Sequence, residues 1–263
     1  MKNWPDYGRL DQQPMLAQYL LFPRADHTPP PPGAFDLMVP VEPNRDIEVA
    51  CRFYSGQAEW PWMLYFHGNG EVASDYDYIY RMYHAHRINL VVADYRGYGM
   101  SSGYPNFRYL ARDAQVLYGA VREELSRRNY LLDLWIMGRS LGSMSALELA
   151  AHYQEEVQGL IIESGFASVT RLARQWGLPV DLSVLLSVEE QCLAMIRTIT
   201  LPALVIHGQL DSLVSPREGR LIYETLGSSQ KRWLPIPGAD HNDIMIVNPE
   251  RYFVGIEKFV WGT

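Results

Sequence analysis

Short, unbroken apolar runs recur along the chain from about residue 35 and alternate with stretches of helical periodicity. Residues 90–93 and 204–206 contain no polar side chain, which is typical of parallel strands covered on both faces. We predict strands at residues 35–41, 47–54, 62–66, 89–93, 132–137, 160–162, 203–206 and 232–236, and helices at residues 107–127, 140–154 and 249–259. The first two strands pair antiparallel through a short turn at residues 42–46. The alternation predicts an α/β fold with an eight-stranded, mostly parallel sheet and helices on both faces.

Two segments fall outside this alternation. Residues 1–33 end in four prolines and a glycine, which favour extended backbone. We interpret them as an N-terminal arm laid over a main domain at residues 34–263, with a free tail as the alternative; the apolar run at residues 15–22 favours docking of at least part of the arm. Residues 166–200 are predicted to form a small helical cap inserted between two strands.

Net charge and cysteine content indicate which partners and which cellular compartment to expect for this chain. The 263 residues carry a formal net charge of −7 and contain no basic run, so nucleic acid and anionic lipid are not expected partners. Cys51 and Cys192 are too few for a disulfide scaffold and are expected to be free thiols of a reducing compartment. Neither a signal peptide nor a membrane-spanning stretch is visible, so the sequence predicts a cytoplasmic protein without stable membrane insertion.

The strongest local motif is the glycine-flanked serine of residues 138–142, GRSLG. It follows a predicted strand and opens a predicted helix, and such a turn projects the serine Oγ away from the backbone. Ser140 is therefore the candidate nucleophile; an N-cap serine beside packing glycines is the alternative.

A serine nucleophile needs a base within hydrogen-bond reach. Among seven histidines, His241 lies in a loop after the last predicted strand, and loops beyond the carboxyl ends of parallel strands converge on one edge. His241 is the candidate base. Asp211, just past the preceding strand, is the candidate carboxylate that orients it, with Glu163 at the end of another strand as its rival.

Acyl transfer also requires hydrogen-bond donors where the oxyanion forms. The amide of Leu141 lies at a helix start, and the HGNG segment at residues 67–70 follows a strand. We predict that the Leu141 and Asn69 amides form the oxyanion hole, with Gly70 in place of Asn69 as the alternative. Phe166, Trp176 and Tyr95 are candidate substrate-pocket residues. Side chains and water complete this chemistry, so no cofactor and no metal is expected.

Six motifs together resemble those of the α/β-hydrolase superfamily, more narrowly the Bem46-like serine hydrolases and the related α/β-hydrolase domain proteins 13 and 17. They are residues 67–70, 94–101, 138–142, 163–168, 207–211 and 238–243, in the family's order. The resemblance implies an α/β-hydrolase fold with Ser140 as nucleophile, Asp211 as acid and His241 as base. The arm shows neither the membrane helix nor the cysteine cluster of some relatives, so depalmitoylation at a membrane is not expected.

These inferences predict a serine hydrolase that cleaves carboxylic esters or thioesters of small to medium acyl groups through an acyl-serine intermediate. Its expected partner is a small-molecule substrate. A peptidase or amidase that uses the same three side chains is the alternative enzyme. A ligand-binding protein that has kept the fold without catalysis is the alternative from another class.

Overall fold

The computed structural model describes residues 4–43 and 46–262; residues 44 and 45 of the predicted first turn lie outside the described residues. Within the described residues, the strands are β1 (Ala34–Pro40), β2 (Glu48–Tyr54), β3 (Trp62–Phe66), β4 (Asn89–Ala93), β5 (Leu134–Arg139), β6 (Gly159–Glu163), β7 (Ala203–Gly208) and β8 (Lys231–Ile236). They form one sheet in the order β1-β2-β4-β3-β5-β6-β7-β8. β2 pairs antiparallel with β1 and β4, and the remaining pairs are parallel. The predicted fold class is confirmed.

Helices cover both faces of this sheet. They are α1 (Gly8–Asp11), α2 (Pro14–Leu20), α3 (Tyr80–Ala85), α4 (Phe107–Arg127), α5 (Ser143–His152), α6 (Thr170–Gln175), α7 (Leu182–Arg197), α8 (Pro216–Thr225), α9 (Ile244–Val247) and α10 (Pro249–Val260). In the part of the chain that the structure describes, two short 3₁₀ segments, Ala73–Asp77 and Ser140–Gly142, follow β3 and β5.

Side-chain alternation along each strand divides the core into two layers. In β5, Leu134 and Ile136 pack in the first layer, which also contains residues of α4, α5, α7 and α8. Trp135 and Met137 pack in the second layer, on the other side of the sheet, with residues of α3, α9 and α10. Because successive strand residues face opposite sides, a strand buried on both sides must be apolar throughout. Each fully buried aliphatic side chain contributes roughly 1.5–3 kcal/mol, so these layers hold the strand ends in place.

The predicted strand bounds lie within two residues of the observed ones. The predicted helix at residues 140–154 was wrong in its first turn. Ser140 has a φ of +50°, which an α-helix does not include, so residues 140–142 form a 3₁₀ turn and α5 begins at Ser143. Gly138 and Arg139 belong to β5 instead of the loop after it.

The first part of the arm packs against the main domain. Leu10 of α1 and Leu16 and Leu20 of α2 are buried in the core layer that also contains residues of α4 and α5. After α2 the chain is largely extended, and Ala25 pairs with Gly99 in an isolated parallel bridge. The arm therefore reaches the loops at the carboxyl ends of β3 and β4.

Helices α6 and α7 lie between β6 and β7, where the sequence predicts a cap. Asp181 caps α7 by accepting a hydrogen bond from the amide of Ser183. Leu185 and Val188 of α7 are buried. Arg9 of the arm donates to Ser187 Oγ at 2.8 Å, so the arm also contacts this insertion.

Candidate active site

Steric crowding explains the glycines that flank Ser140. A Cβ at Gly142 would lie 2.1 Å from the Phe66 carbonyl oxygen, and a Cβ at Gly138 would lie 2.4 Å from the Gly142 carbonyl oxygen. Both obstacles are backbone atoms that cannot rotate away. The turn therefore closes tightly against the end of β3, and the positive φ of Ser140 is a strained feature of the kind found at functional sites.

The structure brings Ser140, His241 and Asp211 into one hydrogen-bonded series. His241 Nε2 lies 3.1 Å from Ser140 Oγ, and His241 Nδ1 lies 2.8 Å from Asp211 Oδ2. An Nδ1–H that donates to the carboxylate leaves the Nε2 lone pair free to accept the serine proton. The three residues are 4–7% exposed, so the series is largely shielded from water.

Asp211 is held as an ionised carboxylate. Its Oδ1 accepts hydrogen bonds from the amides of Leu213 (3.1 Å) and Val214 (2.7 Å). His207 Nε2 lies 3.3 Å from Asp211 Oδ2. Burial opposes ionisation, but the hydrogen bonds from His207, His241 and Val214 outweigh it and hold the pKa of Asp211 well below its ordinary value. The side chain can therefore stabilise an imidazolium on His241.

Glu163, the rival carboxylate, has other partners. Its Oε2 accepts hydrogen bonds from Tyr252 Oη at 2.5 Å and Tyr65 Oη at 3.4 Å, and Arg139 Nη1 lies 3.4 Å from its Oε1. Burial raises its pKa, although Arg139 and the Tyr252 hydroxyl oppose that effect. Of the two carboxylates, Asp211 is the one in contact with the imidazole nitrogens of His241.

The predicted oxyanion loop lies beside the serine turn because β3 and β5 are neighbours in the sheet. His67 organises this loop: its Nδ1 lies 2.8 Å from the Gly68 carbonyl and its Nε2 lies 3.1 Å from Asp94 Oδ1. Leu141 belongs to the first turn of the helical segment, where amides have no intrahelical acceptor. The structure thus places the candidate donors Leu141 and Asn69 on two adjoining segments.

Contacts from the arm fix the Asn69 side chain, and no sequence signal indicated them. Asn69 Oδ1 accepts hydrogen bonds from the Phe22 amide at 2.9 Å and from Tyr98 Oη at 2.8 Å. Arg24 Nε donates to the Gly70 carbonyl at 3.2 Å. The side-chain oxygen of Asn69 is therefore engaged by these two donors, and its backbone amide stays the candidate donor to the oxyanion.

The three candidate pocket residues lie in different surroundings. Tyr95 is buried and donates its hydroxyl to the His67 carbonyl at 2.6 Å, so it supports the loop from beneath. Phe166 is buried beside Ser143. Trp176 is 37% exposed at the end of α6 and, of the three, has the most surface available to a substrate.

A residue that the sequence reasoning missed is Arg139, which precedes the serine. It is buried, and its guanidinium donates to Glu71 Oε1 at 2.8 Å, to the His241 carbonyl at 3.1 Å and to Asn242 Oδ1 at 3.3 Å. Arg139 therefore ties β5 to the histidine loop. Its partners lie about 70 and 100 residues away in sequence, and only the fold brings them together.

Within residues 4–43 and 46–262, no group of three or more histidine, cysteine, aspartate or glutamate side chains is placed to hold a metal ion. No helix in the same ranges is long and apolar enough to cross a membrane.

Comparisons of sequence identify related proteins. The Hydrolase_4 family model, described as serine aminopeptidase, S33, matches residues 61–181. Protein bem46 of Schizosaccharomyces pombe is 28% identical over 209 residues, covering 76% of this chain and 67% of that protein. The human α/β-hydrolase domain-containing protein 17C is 29% identical over 226 residues, which cover 82% of this chain and 63% of that protein. The uncharacterized membrane protein YNL320W of Saccharomyces cerevisiae is 30% identical over 174 residues, which cover 65% of this chain and 59% of that protein. The matches thus span about three fifths to two thirds of these relatives.

Solved structures show the same arrangement of strands and helices. The esterase Pf2001 of Pyrococcus furiosus superimposes with a TM-score of 0.73 at 18% identity, covering 92% of this chain and 99% of that one. The monoacylglycerol lipase of Paleococcus ferrophilus has a TM-score of 0.62 at 17% identity, covering 80% and 99%. At these identities the likeness concerns the fold.

Proposed function

Since the chain belongs to the α/β-hydrolase superfamily and is of its Bem46-like type, we propose that it is a serine hydrolase that cleaves carboxylic esters or thioesters. The observation that carries the proposal is the contact series from Ser140 Oγ through His241 to Asp211, at 3.1 and 2.8 Å. An alcohol, an imidazole and a carboxylate in this order are the requirements of an activated serine.

The proposed hydrolysis follows from the hydrogen bonds that His241 makes to Ser140 and Asp211. His241 Nε2 removes the Ser140 proton as Oγ attacks the carbonyl carbon, and the resulting imidazolium is stabilised by Asp211. The Leu141 and Asn69 amides would stabilise the negative charge on the carbonyl oxygen. The imidazolium then protonates the departing alkoxide or thiolate, which leaves an acyl-Ser140 ester. His241 removes a proton from water as the water oxygen attacks the carbonyl carbon of this ester, and the imidazolium then protonates Ser140 Oγ as the acid is released.

The cap supports a preference for small to medium acyl groups. It consists of two helices, of which α6 has only six residues, and Trp176 at its end is partly exposed. We infer that a cap of this size encloses little space for a long chain. We expect p-nitrophenyl esters of two to about eight carbons to be cleaved faster than longer ones, because ordinary hydrophobic pockets distinguish chain lengths by roughly 1–3 kcal/mol per methylene. A higher kcat/KM for sixteen-carbon esters would contradict this.

A second candidate function is amide or peptide hydrolysis, because the matching family model is described as serine aminopeptidase. The same three side chains would serve, with His241 protonating an amine instead of an alkoxide. Parallel assays of p-nitrophenyl acetate and aminoacyl-naphthylamides distinguish the two reactions. Faster turnover of the naphthylamides would favour the peptidase.

Labelling with a fluorophosphonate probe tests the central proposal. We expect the wild-type protein to be labelled and Ser140→Ala to remain unlabelled, whereas Ser229→Ala, at an exposed serine after α8, should be labelled like the wild type. Labelling that persists in Ser140→Ala would overturn Ser140 as nucleophile. A folded wild-type protein that is neither labelled nor active on esters would instead support a ligand-binding protein without catalysis.

We propose that the protein acts in the cytoplasm. Cys51 and Cys192 are both free and buried, as suits a reducing compartment. Fractionation of cells that express the tagged full-length protein tests this location.

A further inference from the structure

A cavity of about 560 Å³ lies between the 3₁₀ segment Ala73–Asp77 with α3 on one side and α9 with α10 on the other. This volume falls in the range of pockets that hold small molecules. Ser140, His241, Asp211 and Leu141 are not among its lining residues, so the cavity is distinct from the proposed reaction site. It shares with that site the side chain of Arg139, the immediate neighbour of Ser140.

The walls of the cavity are apolar. Ile79 and Met82 line one side, and Ile244, Ile246 and Phe253 line the other. Met82 is 41% and Ile246 is 75% exposed, so large apolar side chains stand at an accessible surface. Covering apolar surface of this kind with a ligand removes it from water, which is favourable. The walls therefore fit an aliphatic chain.

Acidic side chains outnumber basic ones among the polar groups that line the cavity. Glu71, Asp75 and Glu163 contribute carboxyl groups, and Arg139 contributes a guanidinium. Burial opposes ionisation of Glu71, but Arg139 and neighbouring hydrogen bonds outweigh it and lower its pKa. Asp75 is partly neutralised by Arg24, which contacts it from the arm. The carboxylate oxygens of Glu71 and Asp75 can accept hydrogen bonds from a cationic head group, whereas they repel an anionic one.

We propose that this cavity is a second ligand site and that it binds an amphiphilic amine, with the aliphatic chain between α3 and α9–α10 and the ammonium group toward Glu71 and Asp75. The apolar walls and the carboxyl groups of one cavity match the two parts of such a molecule. Binding at this site does not require the hydrolase reaction proposed above.

Three probes of equal chain length test the proposal: n-octylammonium, octan-1-ol and octanoate, each titrated into the protein by calorimetry at neutral pH. We expect octylammonium to bind about tenfold or more tighter than octanoate, which corresponds to roughly 1.4 kcal/mol or more. Octanol should lie between them. Octanoate binding as tightly as octylammonium, or octylammonium not binding at all, would overturn the proposal.

Variants locate the bound amine. Met82→Trp, at an exposed lining position, should fill part of the cavity and weaken octylammonium binding by about tenfold. Val116→Trp, at a partly exposed position of α4 on the opposite sheet face, is the matched control and should leave binding unchanged. Ile246→Trp repeats the test from the other wall if Met82→Trp does not fold. Binding that neither lining variant alters would show that the amine lies elsewhere.

Occupancy of the cavity should also change catalysis, an expectation that rests on the proposed function. Arg139 holds the His241 carbonyl, and Glu71 Oε2 accepts the Gly68 amide of the oxyanion loop at 2.7 Å, so the same two side chains touch the cavity and both catalytic loops. We expect saturating octylammonium to change kcat for p-nitrophenyl acetate about twofold or more, and Met82→Trp to require about tenfold more octylammonium for the same effect. An unchanged kcat would refute the coupling. If the protein cleaves no ester, calorimetry still decides the binding site.

Discussion

Arg139 Nη1 donates a hydrogen bond to the His241 carbonyl oxygen at 3.1 Å, so the residue before the proposed nucleophile holds the backbone of the proposed base. The contact joins the end of β5 to the loop after β8, although β6 and β7 separate these strands in the sheet. The distance between Ser140 and His241 therefore depends on a buried guanidinium as well as on the sheet.

Substitution of Arg139 should affect both folding and catalysis. Arg139→Met leaves Glu71 and Glu163 without their shared cation, and breaking a buried ion pair typically costs about 3–5 kcal/mol. Arg139→Lys keeps the charge but cannot reach all the acceptors at once, so we expect it to fold and to show a kcat lowered about tenfold or more. Chemical denaturation and ester kinetics measure the two effects. A fully active Arg139→Lys variant would contradict the positioning role.

Asp211→Asn should lower kcat by about 10³–10⁴-fold, because the amide cannot stabilise an imidazolium and favours the wrong tautomer of His241. Glu163→Gln is the control, since Glu163 makes no contact with the imidazole nitrogens. Its effect on kcat should be much smaller. A larger loss in Glu163→Gln than in Asp211→Asn would reverse the assignment of the two carboxylates.

The lowered pKa of Asp211 also predicts loss of stability in acid. The unfolded chain binds a proton at the ordinary carboxyl pKa, whereas the folded chain does so only at lower pH. The stabilisation is therefore complete above the unfolded pKa and is lost as pH falls toward the folded one. Between about pH 5 and pH 3, the free energy of unfolding should fall more steeply in the wild type than in Asp211→Asn. Urea denaturation at several pH values measures this, and equal slopes would count against it.

Glu148 of α5 should produce the opposite dependence. It faces Tyr7 of the arm, whose hydroxyl lies 3.4 Å from Oε2, and His152, whose Nδ1 lies 3.4 Å from Oε1. Burial raises the pKa of Glu148 to about 7. Deprotonation therefore costs folding free energy as pH rises from the unfolded carboxyl pKa through about 7, up to about 3 kcal/mol above that pH.

The test of this effect compares Glu148→Gln with the wild type. The variant should be the more stable protein above about pH 8, and the difference should shrink toward about pH 5. Thermal denaturation across this range measures it, and a difference that does not vary with pH would refute the explanation.

The arm should support catalysis through Arg24. Arg24→Ala removes the contact with the Gly70 carbonyl and with Asp75, so the oxyanion loop loses one of its external supports. Because removal of an oxyanion donor itself costs about 10²–10³-fold in kcat, displacement of its loop should cost less, about threefold to tenfold. Gln18→Ala, an exposed position on α2, is the matched control. Equal kcat values for the two variants would show that the contact has no catalytic consequence.

Gly142→Ala should abolish activity for a steric reason. The new Cβ would lie 2.1 Å from the Phe66 carbonyl oxygen and 2.9 Å from that of His67, so the serine turn and the oxyanion loop must separate. We expect a loss of about 100-fold or more in kcat. Gly119→Ala in α4, where a Cβ meets no atom within 4 Å, should instead raise stability by up to about 1 kcal/mol. An active Gly142→Ala variant would show that the turn relaxes.

The sequence was most informative where burial imposes a pattern. Strands covered on both faces must be apolar throughout, so β4 and β7 could be recognised from their runs alone. Ser140, Asp211 and His241 could be grouped because each follows a strand and parallel strands end at a common edge. Their catalytic roles stay predictions, but their proximity is a property of the fold.

Contacts that depend on main-chain atoms or on a side chain's direction could not be predicted. Asn69 Oδ1 accepts a hydrogen bond from the backbone amide of Phe22. Every residue except proline has such an amide, so the side chain of Phe22 gives no sign of this contact, which depends on the path of the arm. The role of Arg139 in holding the histidine loop could not be predicted, because its hydrogen-bond acceptors lie in segments that are distant in the sequence. Tyr95 was a candidate substrate contact, yet its position after β4 directs the hydroxyl to the His67 carbonyl.

The order of the strands leaves β1 and β8 as the two edges of the sheet, and each contains a proline, Pro40 and Pro235. A proline has no amide hydrogen, so neither edge offers an uninterrupted row of donors to a strand from another molecule. Lys231 and Arg232 add charge that a second copy would have to bury. The same sheet that assembles the reacting groups is thereby protected against edge-to-edge aggregation.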